Sequence, residues 1–450
     1  MVRIPVIAIL DAGKTNKKLL LFDENYKVRF ENSSDIPEIM DEDGFPCEDI
    51  SAITVWARAS IDEALLLPAF NVKAINFSAH GASFVYLDDR GKVVAPLYNY
   101  LKPYPSELSK KFYEARGGEG SFSLRTASPV LGSLNSGLQL YRLKHEQPRL
   151  FDKIKYALHL PQYLCFLFAG KAFSDITSIG CHTGLWDFTL NDYHHWVFAE
   201  GIHQKLAPLT SCEKVFPFHT IVTGIGLHDS SAALIPYLKQ FREPFILLST
   251  GTWNITLNPF NSSPLTQDEL NKDCLCYLDY QGKAVKASRL FAGHQLEVLV
   301  KKITQHFHQK AGYHTTITYD KTLYRKLKNK YSQSIESFEP NRLLGDNFFR
   351  TDLSDFNSFE EAYHQLMREI INLQFGSTSL VLQPTVKNIY VDGGFSKNSL
   401  FMNLLKEVFP SHRVYAASVS QASSLGAAMA IHNHWNNHDF PENFVALKQI

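Results

Sequence analysis

Two segments of the chain share one arrangement of apolar and polar positions. Residues 6–22 read VIAIL, DAGK and TNKKLLLF, an apolar run, a short turn and a second apolar run. Residues 245–260, FILLSTGTWNITLNPF, repeat that order. Each pattern predicts a β-hairpin whose turn contains glycine. Because the second hairpin begins near the middle of the 450-residue chain, the pattern predicts a duplicated domain.

The patterns that follow each hairpin are also alike. Residues 72–80 predict a buried strand, and residues 84–94 predict two strands around an Asp-Asp-Arg-Gly turn. Residues 386–394 predict a strand that runs into paired glycines, with a helix after it. Residues 359–382 predict a long amphipathic helix with an apolar stripe. Strands that alternate with helices indicate an α/β fold.

A chain of 450 residues is too long for one ordinary core, so we expect two large domains. Residues 237–245, YLKQFREPF, are polar and contain proline, as linkers often do. The sequence therefore predicts an N-terminal domain of residues 1–238 and a C-terminal domain of residues 239–450.

Charge and composition exclude several classes of protein. Lys plus Arg and Asp plus Glu each number 45, so the net charge is zero, which disfavours binding to nucleic acid or an anionic membrane. No apolar stretch reaches the length of a membrane span, and the N-terminal residues do not resemble a signal peptide. Six scattered cysteines are typical of thiols in a reducing compartment. We therefore expect a cytoplasmic protein without a membrane partner.

Three turns carry groups suited to phosphate. In the first hairpin, Gly13, Thr15 and Asn16 offer donors, and Asp11 could hold Mg²⁺. The other two turns are Thr250-Gly251-Thr252 and Asp392-Gly393-Gly394. Each is common turn chemistry when taken singly, but their order and symmetry favour a nucleotide. Neither a P-loop motif nor a Rossmann glycine motif occurs in the right setting.

Residues 223–238, TGIGLHDSSAALIPYL, contain the remaining candidate. Two glycines precede His228 and Asp229, and a small-residue helical run follows them. Asp229 is either an N-cap carboxylate or a general base near a cleft, and both interpretations stay open.

The order of these motifs resembles a known family. A DxGxTxxK-like hairpin, GxHDxxAA, STGTW, VDGGxxKN and SLGAAMA follow one another between residues 4 and 431. This order resembles the FGGY carbohydrate kinases. The resemblance implies an α/β fold of duplicated actin-like (ribonuclease H-like) domains that flank a central cleft for ATP and sugar.

The resemblance also implies roles for individual residues. Asp11 is the expected Mg²⁺ residue and Asp229 the expected catalytic base, which takes the proton of the attacking sugar hydroxyl during γ-phosphoryl transfer. The expected ATP-binding residues are Gly13, Lys14, Thr15, Asn16, Thr250, Gly251, Thr252, Gly293, Gly393, Gly394 and Asn398. The expected sugar-binding residues are His80, Gly81, Tyr100, His228 and Asp229.

Two short motifs point to different sugars. His80-Gly81-Ala82 resembles xylulose kinases, whereas the pair His228-Asp229 resembles rhamnulose and fuculose kinases. The W-x-D-x-R motif of the family is missing, and residues 98–103 read YNYLKP in its place. We expect an L-configured (deoxy)ketose such as L-rhamnulose or L-fuculose, with D-xylulose or another pentulose as the alternative.

The lysines of the first hairpin depart from the family pattern. Lys14 stands where small or hydroxyl residues are usual, and it either contacts phosphate or points to solvent. Lys17 and Lys18 are expected at a strand edge or on the surface. A non-catalytic actin-like ATP-binding protein, a relative without kinase activity and an N-acetylhexosamine or ROK-type kinase remain alternatives, and homodimer formation is left open.

Overall fold

The computed structural model of the protein describes residues 3–14, 16–331 and 352–450. The chain divides into two compact units. The first comprises the described residues of Met1–Gln240, Cys276–Ala284 and Ser420–Phe444. The second comprises those of Phe241–Leu275, Val285–Val419 and Val445–Ile450.

The strands have the following bounds: β1 (Ile4–Ala12), β2 (Lys17–Asp23), β3 (Val28–Ser34), β4 (Glu38–Met40), β5 (Pro46–Glu48), β6 (Phe70–Ala79), β7 (Phe84–Leu87), β8 (Tyr156–His159), β9 (Ser174–Asp175), β10 (Trp186–Asp187), β11 (Asp192–Tyr193), β12 (Leu209–Thr210), β13 (Val215–Phe218), β14 (Ile221–Gly224), β15 (Leu227–His228), β16 (Phe245–Thr250), β17 (Asn254–Asn258), β18 (Cys274–Leu278), β19 (Ala284–Leu290), β20 (Asn388–Gly393), β21 (Arg413–Ser418) and β22 (Ala446–Gln449).

The helices have the following bounds: α1 (Ile50–Leu66), α2 (Ser106–Glu114), α3 (Glu119–Thr126), α4 (Ser136–Glu146), α5 (Pro148–Lys153), α6 (Leu160–Ala169), α7 (Ile176–Ile179), α8 (His195–Ala199), α9 (Asp229–Gln240), α10 (Gln267–Asn271), α11 (Ala292–His306), α12 (Lys321–Lys330), α13 (Phe359–Val381), α14 (Ser399–Val408) and α15 (Ala422–Ala430). None of the helices within the described ranges is long and apolar enough to cross a membrane.

The first unit is built on a mixed sheet with the order β13-β14-β6-β1-β2-β3, in which β15 also pairs with β6. Strands β1 and β2 form the predicted antiparallel hairpin, and β6 runs parallel to β1. Val6, Ile7, Ala8, Ile9 and Leu10 of β1 are all fully buried. The continuous apolar run therefore reflects a central strand that is covered on both faces.

The second unit repeats this arrangement in a sheet with the order β18-β19-β17-β16-β20-β21-β22. Strands β16 and β17 form an antiparallel hairpin, and β20 runs parallel to β16. An antiparallel hairpin with a parallel strand beside its first member thus occurs once in each unit. The duplication predicted from the two hairpins is confirmed at the level of sheet topology.

Helix α13 lies at the centre of the core of the second unit. The predicted apolar stripe is buried: Ala362, Leu366 and Ile370 have no exposed surface. The polar side of the helix is buried as well, and the Arg368 guanidinium donates to Gln365 Oε1 at 2.6 Å and to Leu327 O at 3.0 Å. The prediction of a helix is confirmed. Its polar face is also covered by protein, and this burial is tolerated because the polar side chains find hydrogen-bond partners there.

Helices α9 and α15 bring the third segment of the chain into the first unit. A Cβ atom on Gly426 of α15 would lie 1.8 Å from the carbonyl oxygen of Ala232 in α9. Only glycine permits this approach of two backbones. The small residues of both helices therefore allow close helix packing. The first unit includes residues 420–444, which the predicted boundary after residue 238 assigned to the C-terminal domain.

Candidate active site

Three parallel strands of the first unit end at one edge of the sheet. Ala12 at the end of β1 pairs with Ala79 of β6, and Ala79 pairs in turn with His228 of β15. The carboxyl edge of parallel strands is where α/β proteins commonly bind ligands. This register brings Asp11, His80 and Asp229, which flank those pairs, to the same edge.

Gly13, Lys14 and Asn16, in the turn of the first hairpin, are predicted to contact phosphate, and they are called the phosphate hairpin below. Thr15 lies outside the described residues. Lys17, which follows the phosphate hairpin, is only 2% exposed, so its prediction as a surface charge was wrong. The Lys17 Nζ donates to Gly13 O at 2.8 Å and to Lys14 O at 3.3 Å. The ammonium therefore holds the backbone of the hairpin from inside the protein.

Glu48 at the end of β5 balances this buried charge. Its Oε1 lies 2.7 Å from Lys17 Nζ, and its Oε2 accepts a hydrogen bond of 2.7 Å from His80 Nε2. Burial alone would raise the pKa of Glu48, but the charge and hydrogen bond of His80 and the ammonium of Lys17 lower it to about 2. Lys14 Nζ also lies 3.6 Å from Glu48 Oε2, and it contacts Glu38 at 2.5 Å.

Residues 80–82 contain two of the residues predicted to bind sugar, and they are called the sugar loop below. This loop packs against the segment that carries the catalytic candidate. A Cβ atom on Gly81 would lie 2.7 Å from Cδ2 of His228, so glycine lets the two predicted sugar residues approach each other. The ring of Tyr100 lies 5.8 Å from that of His80. Nδ1 of His80 and Nδ1 of His228 are buried and have no hydrogen-bond partner within the described part of the chain. Four of the predicted sugar residues thus lie together.

Asp229 is the first residue of α9, and its side chain is 34% exposed. Its Oδ1 accepts hydrogen bonds from the Ser230 amide at 2.6 Å and the Ser230 hydroxyl at 3.3 Å. His228 Nε2 lies 3.4 Å from the same oxygen. Burial lowers the pKa of His228, against the opposing charge of Asp229. Because the start of a helix carries a partial positive charge, α9 favours a negatively charged side chain at its first position.

Asp11 lies in a second, more polar setting at the same edge. Ser423 and Ser424 donate hydroxyl hydrogen bonds to its Oδ2 at 2.7 and 2.6 Å. Burial raises the pKa of the Asp11 carboxyl, and the negative charge of Asp229 adds to that rise. Two carboxylates that repel each other would both be stabilised by a divalent cation, and Mg²⁺ commonly needs only one or two carboxylates besides phosphate oxygens. The donor set therefore fits Mg²⁺ with ATP, although the described residues contain no cluster of three or more metal-binding side chains.

Residues 98–103 stand in place of the W-x-D-x-R motif, and their one lysine is paired with carboxylates of the same unit. Lys102 Nζ lies 2.5 Å from Asp41 and 2.6 Å from Asp43. Tyr98 donates its hydroxyl hydrogen to Glu42. Tyr100 is half-buried, and the centre of its ring lies 5.8 Å from that of the His80 ring and 6.0 Å from the ammonium of Lys14.

Glycines of the second unit converge at the ends of β16 and β20. A Cβ atom on Gly293 would lie 1.8 Å from Gly251 O, and one on Gly393 would lie 1.9 Å from Thr250 O. The Thr250 hydroxyl donates to Asp392 O at 2.5 Å and accepts from the Phe395 amide at 3.0 Å. That hydroxyl therefore holds the two turns together. Thr252 O accepts from the His294 amide at 3.2 Å, which ties its turn to the start of α11.

A cavity of about 420 Å³ opens beside these turns. Its volume suits a nucleoside, and it combines apolar walls with backbone and amide groups. The lining residues are Gly251, Gly293, Leu296, His314, Thr315, Ile317, Thr318, Gly394, Phe395, Lys397, Asn398 and Ser399. Asn398 also caps α14 and donates to the Tyr363 hydroxyl, so it has a structural role there.

Comparison with known families decides the class of the protein. The family model described as "FGGY family of carbohydrate kinases, N-terminal domain" matches residues 6–221. The model described as "Carbohydrate kinase FGGY, C-terminal domain" matches residues 242–325. The chain belongs to the FGGY family of carbohydrate kinases. It is therefore an ATP-dependent carbohydrate kinase, with a sugar and ATP as its substrates.

Curated relatives of this FGGY kinase include two rhamnulokinases. That of Oceanobacillus iheyensis is 22% identical over 437 residues, which cover 88% of this chain and 85% of the relative. That of Halalkalibacterium halodurans is 26% identical over 273 residues, which cover 57% of this chain and 54% of the relative. These identities are low.

Solved structures show that the FGGY kinase has the actin-like fold. A carbohydrate kinase from Novosphingobium aromaticivorans matches with a TM-score of 0.80 and 21% identity, over 100% of this chain and 94% of that one. A xylulose kinase from Lactobacillus acidophilus matches with a TM-score of 0.77 and 16% identity, over 99% and 93% of the two chains.

Sequence motifs missed several residues of the candidate site of this FGGY kinase. Glu48 precedes the N-cap of α1, and nothing in its neighbourhood marks it as a partner of Lys17 and His80. Leu296, His314 and Ile317 also line the cavity, but they stand outside the motifs from which the nucleotide contacts were predicted. Ser424 begins the SLGAAMA stretch and Ser423 immediately precedes it, so the place of that stretch in the motif order was the one available signal.

Proposed function

We propose that this kinase transfers the γ-phosphoryl group of Mg-ATP to a hydroxyl of a small neutral ketose, with Asp229 as the general base. The substrate we favour is an L-configured (deoxy)ketose such as L-rhamnulose or L-fuculose. One observation carries the proposal: the Asp229 carboxylate at the start of α9 adjoins His228, whose ring packs against Gly81 of the sugar loop.

In the proposed reaction Asp229 aligns the sugar hydroxyl and accepts its proton. The sugar hydroxyl must lose its proton as it attacks the γ-phosphorus, and a carboxylate within hydrogen-bond reach accepts that proton. The partnerless Nδ1 atoms of His80 and His228 are suited to bind further hydroxyls of the sugar. Bound Mg²⁺ would neutralise phosphate charge next to Asp11, and Gly13, Lys14 and Asn16 would contact the phosphates from the hairpin.

The charges at this edge favour a neutral sugar over a sugar acid. Lys14 is paired with Glu38 and Glu48, and Lys17 is paired with Glu48. Lys102 in the neighbouring segment is paired with Asp41 and Asp43. A substrate carboxylate would have to displace one of these partners, whereas a ketose needs only hydroxyl contacts.

The HD pair favours a deoxyketose. Both curated relatives described above are named rhamnulokinase, which supports the same direction. D-xylulose is the second candidate, because His80-Gly81-Ala82 resembles xylulose kinases and a structural relative carries that name. A methyl group at the end of a deoxyketose distinguishes the two candidates chemically.

The test is ADP release with Mg-ATP against a panel of free sugars. The panel contains L-rhamnulose, L-fuculose, L- and D-ribulose, D-xylulose, D-fructose, glycerol and gluconate, with a reaction without sugar as the control. We expect the highest kcat/KM with one of the two deoxyketoses. A preference for D-xylulose would show that the second candidate is the substrate. Turnover of gluconate alone would refute the argument that the substrate is a neutral sugar. Nucleotide binding without sugar-stimulated ADP release on any panel member would refute the proposed substrates.

A further inference from the structure

The buried ammonium of Lys17 fixes one face of the phosphate hairpin. Its three donors go to Gly13 O, Lys14 O and Glu48 Oε1, at 2.8, 3.3 and 2.7 Å. In a trans peptide the carbonyl and the amide point in opposite directions. Because Gly13 O points at Lys17, the amide of Lys14 in the same peptide points away from it. The ammonium thereby selects which face of the hairpin presents an amide donor.

Glu48 fixes the sugar loop by the same kind of contact. A carboxylate only accepts hydrogen bonds, so Nε2 of His80 must carry the hydrogen of the 2.7 Å bond to Glu48 Oε2. This bond orients the imidazole and leaves Nδ1, which is buried without a partner in the described structure, on the opposite side of the ring. Orientation of a functional imidazole by a carboxylate on its other nitrogen is a general device.

We propose that Glu48 is a positioning residue shared by both substrate loops. Through Lys17 it fixes the phosphate hairpin, and through His80 it fixes the sugar loop. Glu48 is 6% exposed and immediately precedes Asp49, whose side chain caps α1, so it stands on a rigid support. The half of this proposal that concerns the sugar loop rests on the proposed sugar, whereas the hairpin half rests only on the proposed phosphate contacts of the hairpin.

The chain offers a matched control for the loss of a buried lysine–glutamate pair. Lys286 in the second unit is 1% exposed, and its Nζ donates to Glu269 Oε1 at 2.7 Å, to Ser263 Oγ at 2.9 Å and to Pro264 O at 3.3 Å. It has no assigned role in binding or catalysis. Lys286→Met therefore reports what removing such a pair does to stability alone.

The experiment separates the two loops by their binding constants. Lys17→Met should weaken Mg-ADP binding, measured calorimetrically, and raise the KM for ATP by about tenfold or more, while the KM for sugar changes by less than about twofold. Glu48→Gln, which is nearly isosteric, should raise both KM values. Lys17→Arg should recover most of the ATP affinity, because the charge remains. Lys286→Met should leave both KM values unchanged.

The double variant Lys17→Met/Glu48→Gln tests whether the two residues act on the hairpin as a unit. Its Mg-ADP affinity should be no lower than that of Lys17→Met alone, since residues in one network are not additive. The proposal would be overturned if Glu48→Gln lowered the melting temperature as Lys286→Met does and left both KM values within about twofold of the native protein. If the native protein turned over no sugar, the proposed function and the sugar half would fail, and Mg-ADP binding would still decide the hairpin half.

Discussion

Two carboxylates at one sheet edge are held in different ways, and this difference separates their roles. Asp229 begins a helix, and its side chain is one-third exposed. The Asp11 carboxyl accepts hydrogen bonds from two serine hydroxyls, and burial raises its pKa. A group that must accept a proton needs access to the substrate, and a group that supports a metal ion needs a fixed direction. The environments therefore match the proposed assignments of base and metal residue.

Replacing the proposed base should remove transfer but not nucleotide binding. Asp229→Asn keeps the size of the side chain and the oxygen that accepts from Ser230, but an amide is not a base. We expect kcat to fall by about 10²–10⁴-fold. Mg-ADP affinity, measured by calorimetry, should stay close to that of the native protein. Turnover near the native rate in this variant would show that another group accepts the proton.

A buried carboxyl behind the site should make stability depend on pH. Asp175 is fully buried, and its Oδ1 caps α7 by accepting from the amides of Thr177 and Ser178. Burial raises the pKa of Asp175 to about 7, well above its value in an unfolded chain. The folded state therefore binds the proton more tightly, so its contribution to stability is present at acidic pH and is lost as pH rises towards 7.

The substitution Asp175→Asn tests whether this carboxyl makes stability fall as pH rises. The amide keeps an acceptor for the helix cap and cannot ionise, so the free energy of unfolding should no longer fall between pH 5 and pH 8. In the native protein we expect this fall to be on the order of 2–4 kcal/mol, measured by urea unfolding at both pH values. An equal fall in the variant would mean that other groups cause it.

Motifs indicated residues of the candidate site that the fold brings together, but they did not reveal the ion pairs that hold those residues. Asp11, Gly13, His80 and Asp229 stand in short motifs at strand ends, so their convergence on one edge could be predicted from sheet rules. The contact of Lys17 with Glu48 joins residues that are 31 positions apart and on different sheets. A lysine in a hairpin normally lies on the surface, and only the presence of that carboxylate makes burial tolerable.

At the scale of elements, apolar runs predicted strands well where the partner was close in sequence. Both hairpins have their predicted bounds within a few residues. In residues 84–94 only the first predicted strand forms, because β7 pairs with the distant β8, and residue Val93 makes an isolated bridge to Leu87. Nothing in the local pattern distinguishes a strand that pairs with its neighbour from one that pairs across the fold.

Packing of α15 on α9 should be intolerant of any side chain at position 426. Gly426→Val places a branched side chain where even a Cβ would lie 1.8 Å from Ala232 O. Because backbone must move to make room, we expect a loss of about 1–3 kcal/mol or more in unfolding free energy. The measurement is urea unfolding, with kcat as a second readout, since α9 begins at Asp229 and α15 carries Ser424. Native stability in this variant would contradict the close approach.

At the scale of the whole molecule, the two units are each assembled from three segments of the chain. The sequence predicted one boundary because linkers are recognised by local composition. The return of residues 420–444 to the first unit depends on helix packing and on the bonds of Ser423 and Ser424 to Asp11. The bonds to Asp11 join residues 412 and 413 positions apart, and the helix packing brings Gly426 to Ala232; a local pattern encodes neither kind of contact.

Replacing residues 420–444 with a Gly/Ser linker of equal length should destabilise the first unit and spare the second. The linker keeps the connection to β22 but removes α15 and its contacts. Hydrogen exchange followed by mass spectrometry should show loss of protection in β1 and α9. Strand β16 in the second unit should remain protected. Retained protection of β1 would mean that the first unit is stable without its last segment.

The order of the segments also has a consequence for synthesis of the chain on the ribosome. The serines that bond to Asp11 emerge only after residues 241–419 have been made, which takes roughly ten to forty seconds at bacterial and eukaryotic elongation rates. Until then the nascent N-terminal segment lacks one of its helices, and its central strand is only partly covered. The enzyme therefore cannot mature one half at a time, and we expect chaperones that shield apolar surface to remain bound until translation is nearly complete.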